Sequence, residues 1–323
     1  MLSQRASTAS ASSRSRWFEA VADDRPVLRF APSPNGELHL GHALSAIAGA
    51  TWAERLGGRF LVRIEDIDTG RAREEYIAGI YEDLRWLGVT WEEPVLRQSR
   101  HFARYRAAAD SLRSQGLLFP CFATRVDIAE AARRNPGAVD PDGAPLYPGL
   151  HKYLTAQEIS ERMGRGEPFA LRLDMARALA RAREITGGAS LTYEALDAEG
   201  RSSTVTAFPE RWGDAVIVRK DIPASYHLAV VMDDAFQGVT HVTRGQDLEA
   251  ATDLHRLLQI LLGLPAPQYH HHALITDASG RKLSKSAKDT SLSQLRCAGA
   301  TSDDIRRQLA PFLPRPKAPL MSR

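Results

Sequence analysis

The chain has 323 residues, 43% of them hydrophobic and 25% charged, with a formal net charge of +3. That is the composition of a soluble globular protein of about two domains, which excludes a disordered or fibrous chain. No apolar run approaches the length of a membrane span. The two cysteines, Cys121 and Cys297, lie far apart. They fit a reducing compartment, hence a cytoplasmic protein, and not a disulfide framework. So small a net charge neither demands nor excludes nucleic acid, because a local basic face vanishes in the sum.

Met1 to Arg16 is rich in Ser, Ala and Arg and holds no acid, so residues 1–24 are expected to be a disordered tail. An organelle transit peptide shares this composition, but the apolar face of an amphipathic helix is missing. Val27, Leu28 and Phe30 predict a buried strand. Pro32 and Pro34 end it, and Asn35-Gly36 reads as a turn. A helix then opens at His39-Leu-Gly-His42, with Leu44, Ile47, Ala48, Trp52 and Leu56 at helical spacing and Gly57-Gly58 closing it. Arg59 to Ile64 predicts a second strand, so the unit is βαβ and the sheet parallel. It ends in Glu65-Asp-Ile-Asp68, where Asp68 is the expected N-cap of a helix from about Arg71 to Leu87. A further helix spans about His101 to Gln115.

Turn signals crowd the region after Cys121, at Asn135-Pro-Gly, Asp140-Pro-Asp-Gly and Tyr147-Pro-Gly. Residues 120–214 therefore read as an insertion between two halves of the sheet, 25–119 and 215–262. The insertion is expected to hold a strand over 170–173 and a helix over 156–163. In the second half Ala215–Val218, Tyr226–Met232 and Val239–Thr243 predict strands, the middle one apolar enough for the centre of a sheet. A long helix covers about Asp247 to Leu262. Residues 263–323 are expected to hold a lysine-rich loop, a short helical region and, from Pro311 to Pro319, an extended finish.

A strand, a tight turn and a helix N-terminus make an anion site, because the first N–H groups and the helix dipole favour a phosphate. His39 and His42 can hydrogen-bond phosphate oxygens there, and Gly41 between them lets a flat base approach the backbone. Taken alone, the motif is also compatible with two surface histidines on an ordinary cap. Far downstream stands Lys282-Leu-Ser-Lys-Ser286, which by itself reads as a solvated basic loop.

The two motifs, in this order and this far apart, resemble the two signatures of class I aminoacyl-tRNA synthetases. Arg29-Phe-Ala-Pro-Ser33 narrows the resemblance to the glutamyl and glutaminyl branch, and it covers roughly residues 27–290. The fold it implies is α/β, a Rossmann-like doubly wound parallel sheet split by the insertion, with a short α-helical C-terminal region. The activity it implies is amino-acid activation by ATP with Mg²⁺. His39, His42, Lys282 and Lys285 would carry catalysis, and His39, Gly41, His42 and Lys285 would bind ATP. L-glutamate would be read by Arg29, Phe30, Ala31, Pro32, Ser33, Glu65, Tyr226 and Arg244. The chemistry agrees, since an anionic side chain calls for an Arg fork and an ammonium for Glu65. Taken singly, Tyr226 reads as a strand residue packing on its neighbours, and Arg244 equally well as half of a surface ion pair.

Two features resemble the truncated paralogues of the glutamyl enzyme, the glutamyl-Q tRNA(Asp) synthetases. Only residues 287 to 323 follow Ser286, 37 in all, which is too short for the helical anticodon-binding domain of the full-length enzyme. Tyr226-His-Leu-Ala-Val-Val and Arg244-Gly-Gln-Asp-Leu also follow the paralogue's wording, with Ala229 where the full-length enzyme has Asn. The resemblance then implies activation of glutamate without tRNA and its transfer to queuosine, with the anticodon stem-loop of tRNA(Asp) as partner. The paralogue's zinc motif, Cys-x-Cys…Tyr-x-x-x-Cys, is here Cys121-Phe-Ala123 and Tyr147-Pro-Gly-Leu-His151. Cys121, Tyr147 and His151 are a poor three for a metal that wants four ligands, so zinc is not expected. Three other readings stand beside this one. They are a truncated glutamyl-tRNA synthetase charging the 3′ end of tRNA(Glu), a small-molecule adenylate-forming ligase, and a non-catalytic RNA-binding relative.

Overall fold

The computed structural model describes residues 24–134, 137–276 and 290–315. Nearly all of the expected tail, the whole Lys282–Ser286 motif and most of the proline-rich finish lie outside the described residues. The described chain runs β1 (Val27–Phe30), α1 (Leu40–Arg55), β2 (Arg59–Ile64), α2 (Glu74–Trp86), β3 (Glu92–Arg97), α3 (Phe102–Ser114), β4 (Leu118–Cys121), α4 (Arg125–Arg134) and α5 (Ala156–Gly164). It continues β5 (Ala170–Leu173), α6 (Met175–Ile185), β6 (Thr192–Leu196), β7 (Ser202–Thr206), β8 (Val216–Val218), α7 (Tyr226–Phe236) and β9 (His241–Gly245). The last elements are α8 (Ala251–Leu262), β10 (Gln268–His272), α9 (Leu292–Cys297) and α10 (Ser302–Leu309). Ala310–Phe312 is a 3₁₀ turn, so the finish expected to be extended begins in a turn around Pro311. No helix among the described residues is long and apolar enough to cross a membrane.

Among the described residues a large sheet has the order β3-β2-β1-β9-β10-β6-β7, and a small one β4-β5-β8. Every pairing in the large sheet is parallel except the edge pair β6 and β7. The small sheet is antiparallel. The fold is α/β with a Rossmann-like, mostly parallel sheet. The sheets cut across the segment 120–214: its strands β6 and β7 extend the large sheet, whereas β8, from 215–262, closes the small one. Strand order reverses between β1 and β9, the switch point beyond which ligands bind in open parallel sheets.

Successive side chains of a strand point to opposite faces, and β1 is buried on both. Leu28 and Phe30, with Phe60, Val62 and Ile64 of β2, pack on Leu44 and Ile47 of α1 and Ile77, Ile80 and Leu84 of α2. Val27, Leu61, Val242 and Tyr269 join a separate cluster with Tyr193. Each such fully buried side chain contributes about 1.5–3 kcal/mol. Gly49 lets α1 lie close to the sheet, since a Cβ there would stand 2.9 Å from the Phe60 ring.

Two expectations are corrected. Tyr226–Met232, read as a central strand, is the first two turns of helix α7. Ser225 caps it, its side chain accepting from the Leu228 N–H, and every residue from Leu228 to Asp234 is buried. A run that is apolar on all sides has no period to separate helix from strand. The cap, with the helix-forming Leu, Ala and Met, outweighs the two valines. Asp68 is likewise no N-cap. Helix α2 starts later, with Arg73 at its N-cap position and no side-chain cap, and Glu74 and Glu75 face the dipole instead. Asp68 accepts from Arg71 Nε at 2.7 Å in the preceding turn.

Candidate active site

The carboxyl ends of β1, β2, β9 and β10 meet the N-termini of α1 and α7 around a pocket of roughly 470 Å³. Arg29, Phe30, Ala31, Pro32, Ser33, His39, Gly41, His42, Glu65, Tyr226 and Arg244 all line it. The topology thus brings together every expected site residue that is described. Lys282 and Lys285 are outside the described residues, but the chain on either side of them is not. Ile275 lines the pocket, and Ser291 forms a β-bridge with His39. The Leu292 N–H also donates to the Leu38 carbonyl at 2.8 Å.

Helix α1 is capped by its two histidines. The His39 side chain accepts from the Gly41 N–H at 3.1 Å, and His42 Nδ1 accepts from the His39 N–H at 3.2 Å. A neutral imidazole that accepts at Nδ1 carries its proton on Nε2. Each ring therefore carries its N–H on Nε2, beside the helix N-terminus. Gly41 is needed for this cap in a way the sequence does not suggest, because a Cβ there would lie 2.9 Å from His39 Cε1.

A charged network underlies the pocket. Arg63 is wholly buried and donates to Asp234 at 2.7 Å, Glu65 at 3.2 Å and Gln237 at 3.0 Å. Arg29 also donates to Asp234, from Nε at 3.0 Å. Burial alone would raise the Asp234 carboxyl, but Arg29 and Arg63 outweigh it and hold the group below its ordinary value. Burial pushes Glu65 up, against the opposing pull of Arg63 and Arg29. Beyond this pair Asp233 accepts from Gln98, Arg104 and Tyr105. The sequence reading missed Arg63, Asp233 and Asp234. Their signal is a charge inside an otherwise apolar run, which a buried element tolerates only when paired.

Arg244 differs from these arginines. It is buried, and its partners are the Tyr226 hydroxyl (3.4 Å), Thr252 Oγ1 (2.7 Å), His255 Nδ1 (3.3 Å) and His271 Nε2 (3.3 Å). None of them is an acid. Since β9 and β2 flank β1, Arg244 and Glu65 stand on the two sides of the central strand, a cation and an anion on one pocket.

In the segment 120–214 the three weak zinc candidates do come together, but hydrogen bonds within the segment occupy their polar atoms. The Tyr147 hydroxyl accepts from the His151 N–H at 2.8 Å, and His151 Nδ1 accepts from the Ala123 N–H at 3.0 Å. Cys121 is buried and hydrogen-bonds Tyr147, whose phenol is raised by burial first and then by that bond. No group of three His, Cys, Asp or Glu among the described residues could hold a metal ion.

Comparison with known proteins agrees with this geometry. The family model of tRNA synthetases class I (E and Q), catalytic domain, matches residues 27–315. A glutamyl-Q tRNA(Asp) synthetase of Rhodobacter capsulatus is 46% identical over 87% of this chain and 98% of its own length. One from Symbiobacterium thermophilum is 36% identical over 87% of this chain and 84% of its own. A glutamate–tRNA ligase 2 of a Methylobacterium species is 38% identical, but the match spans only 57% of that relative. Among solved structures, the glutamate–tRNA synthetase of Elizabethkingia anophelis superposes with a TM-score of 0.65 at 26% identity, over 86% of this chain and 54% of that one. The chain thus spans about half the length of that structure. By model and relatives together, it belongs to the class I tRNA synthetases of the E and Q type and, within these ligases, to the glutamyl-Q tRNA(Asp) synthetase family.

Proposed function

We propose that the chain activates L-glutamate with ATP, without RNA, and transfers the glutamyl group to queuosine in the anticodon of tRNA(Asp). The observation that carries the glutamate half is Arg244, a buried cation with no acid among its partners, on the same pocket as Glu65. An amino acid with an anionic side chain complements both. Its side-chain carboxylate goes to Arg244 and Tyr226, and its ammonium to Glu65. Arg29, Phe30, Ala31, Pro32 and Ser33 then form the wall against which it lies. The remaining α-carboxylate is left for the nucleotide at the α1 N-terminus.

A glutamate α-carboxylate oxygen attacks the α-phosphorus of ATP, the bond to the bridging oxygen breaks, and pyrophosphate leaves. Negative charge builds on the phosphate oxygens, where the His39 and His42 N–H groups and the helix dipole stabilise it. Gly41 permits that arrangement. Lys282 and Lys285 are assigned to the same phosphates as point charges. Ile275 on the pocket and the β-bridge of Ser291 to His39 support this. Mg²⁺ comes with the nucleotide, ligated by phosphates and water. In the second step a queuosine hydroxyl attacks the acyl carbon of the adenylate and AMP departs.

The acceptor is proposed from the relatives named for it, the first of which matches over 98% of its length. Identity of 38% to a glutamate–tRNA ligase supports a second reading, charging of a tRNA 3′ end. Transfer assays with tRNA(Asp) made with and without queuosine separate the two. Labelled glutamate is expected only on the queuosine-bearing RNA, in its anticodon. Equal charging of both RNAs, or label on the 3′ adenosine, contradicts the proposal.

A further inference from the structure

The groups around Arg244 form a shell with one hydrogen-bonding direction. Guanidinium N–H groups only donate. His255, on α8, therefore accepts from Arg244 Nη1 at its Nδ1 (3.3 Å), so its proton sits on Nε2. That nitrogen is then the donor to His227 Nδ1, on α7, at 3.2 Å. His271, on β10, accepts from Arg244 Nε at its Nε2 (3.3 Å). Thr252 Oγ1 accepts from Nη2 at 2.7 Å and lies 3.2 Å from the same His271 nitrogen. With the Tyr226 hydroxyl of α7, the elements α7, α8 and β10 thus present neutral acceptors to one cation. Burial first, and the Arg244 charge second, hold His227 down to about 4 and His271 to about 3, with His255 well below its ordinary value. An acid at any of these places would neutralise Arg244 from within the protein. A protonated imidazole would repel it and turn an acceptor into a donor.

We infer that His255, backed by His227 and flanked by His271, is a positioning residue that orients Arg244 through neutral acceptors and so sets selectivity for a substrate with an anionic side chain over its neutral amide. This rests on the reading of Arg244 as the contact for the glutamate side chain. Neutral acceptors take four of the five N–H groups of Arg244, so the guanidinium is fixed in place but not neutralised, and an Nη2 N–H is left for the substrate's carboxylate. Glutamine in the same place leaves the buried charge without a counter-ion, the kind of mismatch by which sites reject near-isosteres.

The test is ATP–pyrophosphate exchange by the full chain without RNA, with glutamate and with glutamine. His255→Leu keeps volume and removes the acceptor. His255→Asn is smaller but returns an amide oxygen to the Nδ1 position. The leucine variant should raise the glutamate KM by roughly tenfold or more, the usual effect of losing a hydrogen bond to a charge. Its ATP KM and kcat should move less than about threefold, and its preference for glutamate over glutamine should fall in parallel with the KM change. The asparagine variant should recover most of the loss. A residue that merely fills space would show the reverse order, since asparagine leaves the larger cavity. His227→Phe keeps an aromatic ring there but removes the acceptor of the His255 Nε2–H, and should give a smaller rise in the glutamate KM. The inference is overturned if His255→Leu leaves the glutamate KM unchanged, if glutamate and ATP KM rise together, or if asparagine is no better than leucine. A wild-type chain that exchanges nothing with glutamate overturns the pocket reading and this inference together. An active, selective wild type with an indifferent His255→Leu overturns this inference alone.

Discussion

Arg244 holds a charge in the protein interior with hydroxyls and imidazoles around it, whereas Arg29 and Arg63 share carboxylates. Removing a charge from water costs several kcal/mol unless an opposite charge compensates. On the proposed function, the substrate's side-chain carboxylate is what compensates it. Arg244→Ala is therefore expected to raise the glutamate KM by roughly a hundredfold, the scale for truncating one side of a buried charge pair. The ATP KM should change little, because the nucleotide is assigned to the α1 cap. Steady-state exchange with each substrate varied in turn checks this, and equal effects on both would contradict the pocket assignment. At this scale the sequence was legible only where residue types sit in a recognisable order. Arg29, Glu65, Tyr226 and Arg244 could be named because they match a family's wording. Thr252, His255 and His271 could not, since a threonine and a histidine on a long helix and one histidine in a run of three carry no mark of pointing at an arginine. Gly41 was read as room for a base, and what it makes room for in the described chain is the His39 ring.

Elements were legible where period or punctuation was strong. Helix α1 and strand β2 follow from their spacing, and α5 shows its capping box, Thr155 with Glu158. Helix α7 was not, because its apolar surface runs all the way round. Nor was the small sheet, whose strands β4, β5 and β8 pair across long gaps that no local pattern announces. One contact between elements bears on the site. Arg296 of α9 reaches Glu82 at 3.1 Å and Asp83 at 3.5 Å on α2. Helix α9 follows the segment that carries Lys282 and Lys285, and its cap Ser291 bridges His39. Burial pushes the Asp83 carboxyl up from 3.8 to about 6, with Arg296 opposing it. The folded state thus binds the Asp83 proton more tightly than the unfolded chain does. By linkage its contribution is greatest below the unfolded value and falls as pH rises from about 4 to about 6. Asp83→Asn should match wild type in Tm near pH 4 and exceed it at pH 7 to 8. Melting curves across that range decide the matter, and a Tm difference that does not vary with pH would count against it.

On the scale of the whole molecule, the site is a product of strand order. The sheet reverses direction of growth between β1 and β9, so the ends of β1, β2, β9 and β10 converge with two helix N-termini. Parallel strands with helical crossovers could be expected from the first βαβ unit. The reach of the sheet through β10 to β6 and β7 could not, because it depends on pairing between residues as far apart as Tyr269 and Ala195. The central claim is that this convergence makes an activated glutamate unaided. ATP–pyrophosphate exchange without any RNA measures it most directly. The account predicts exchange that requires glutamate, is not supported by glutamine, and does not rise when tRNA is added. Exchange that appears only with tRNA, or that glutamine supports equally well, would contradict it.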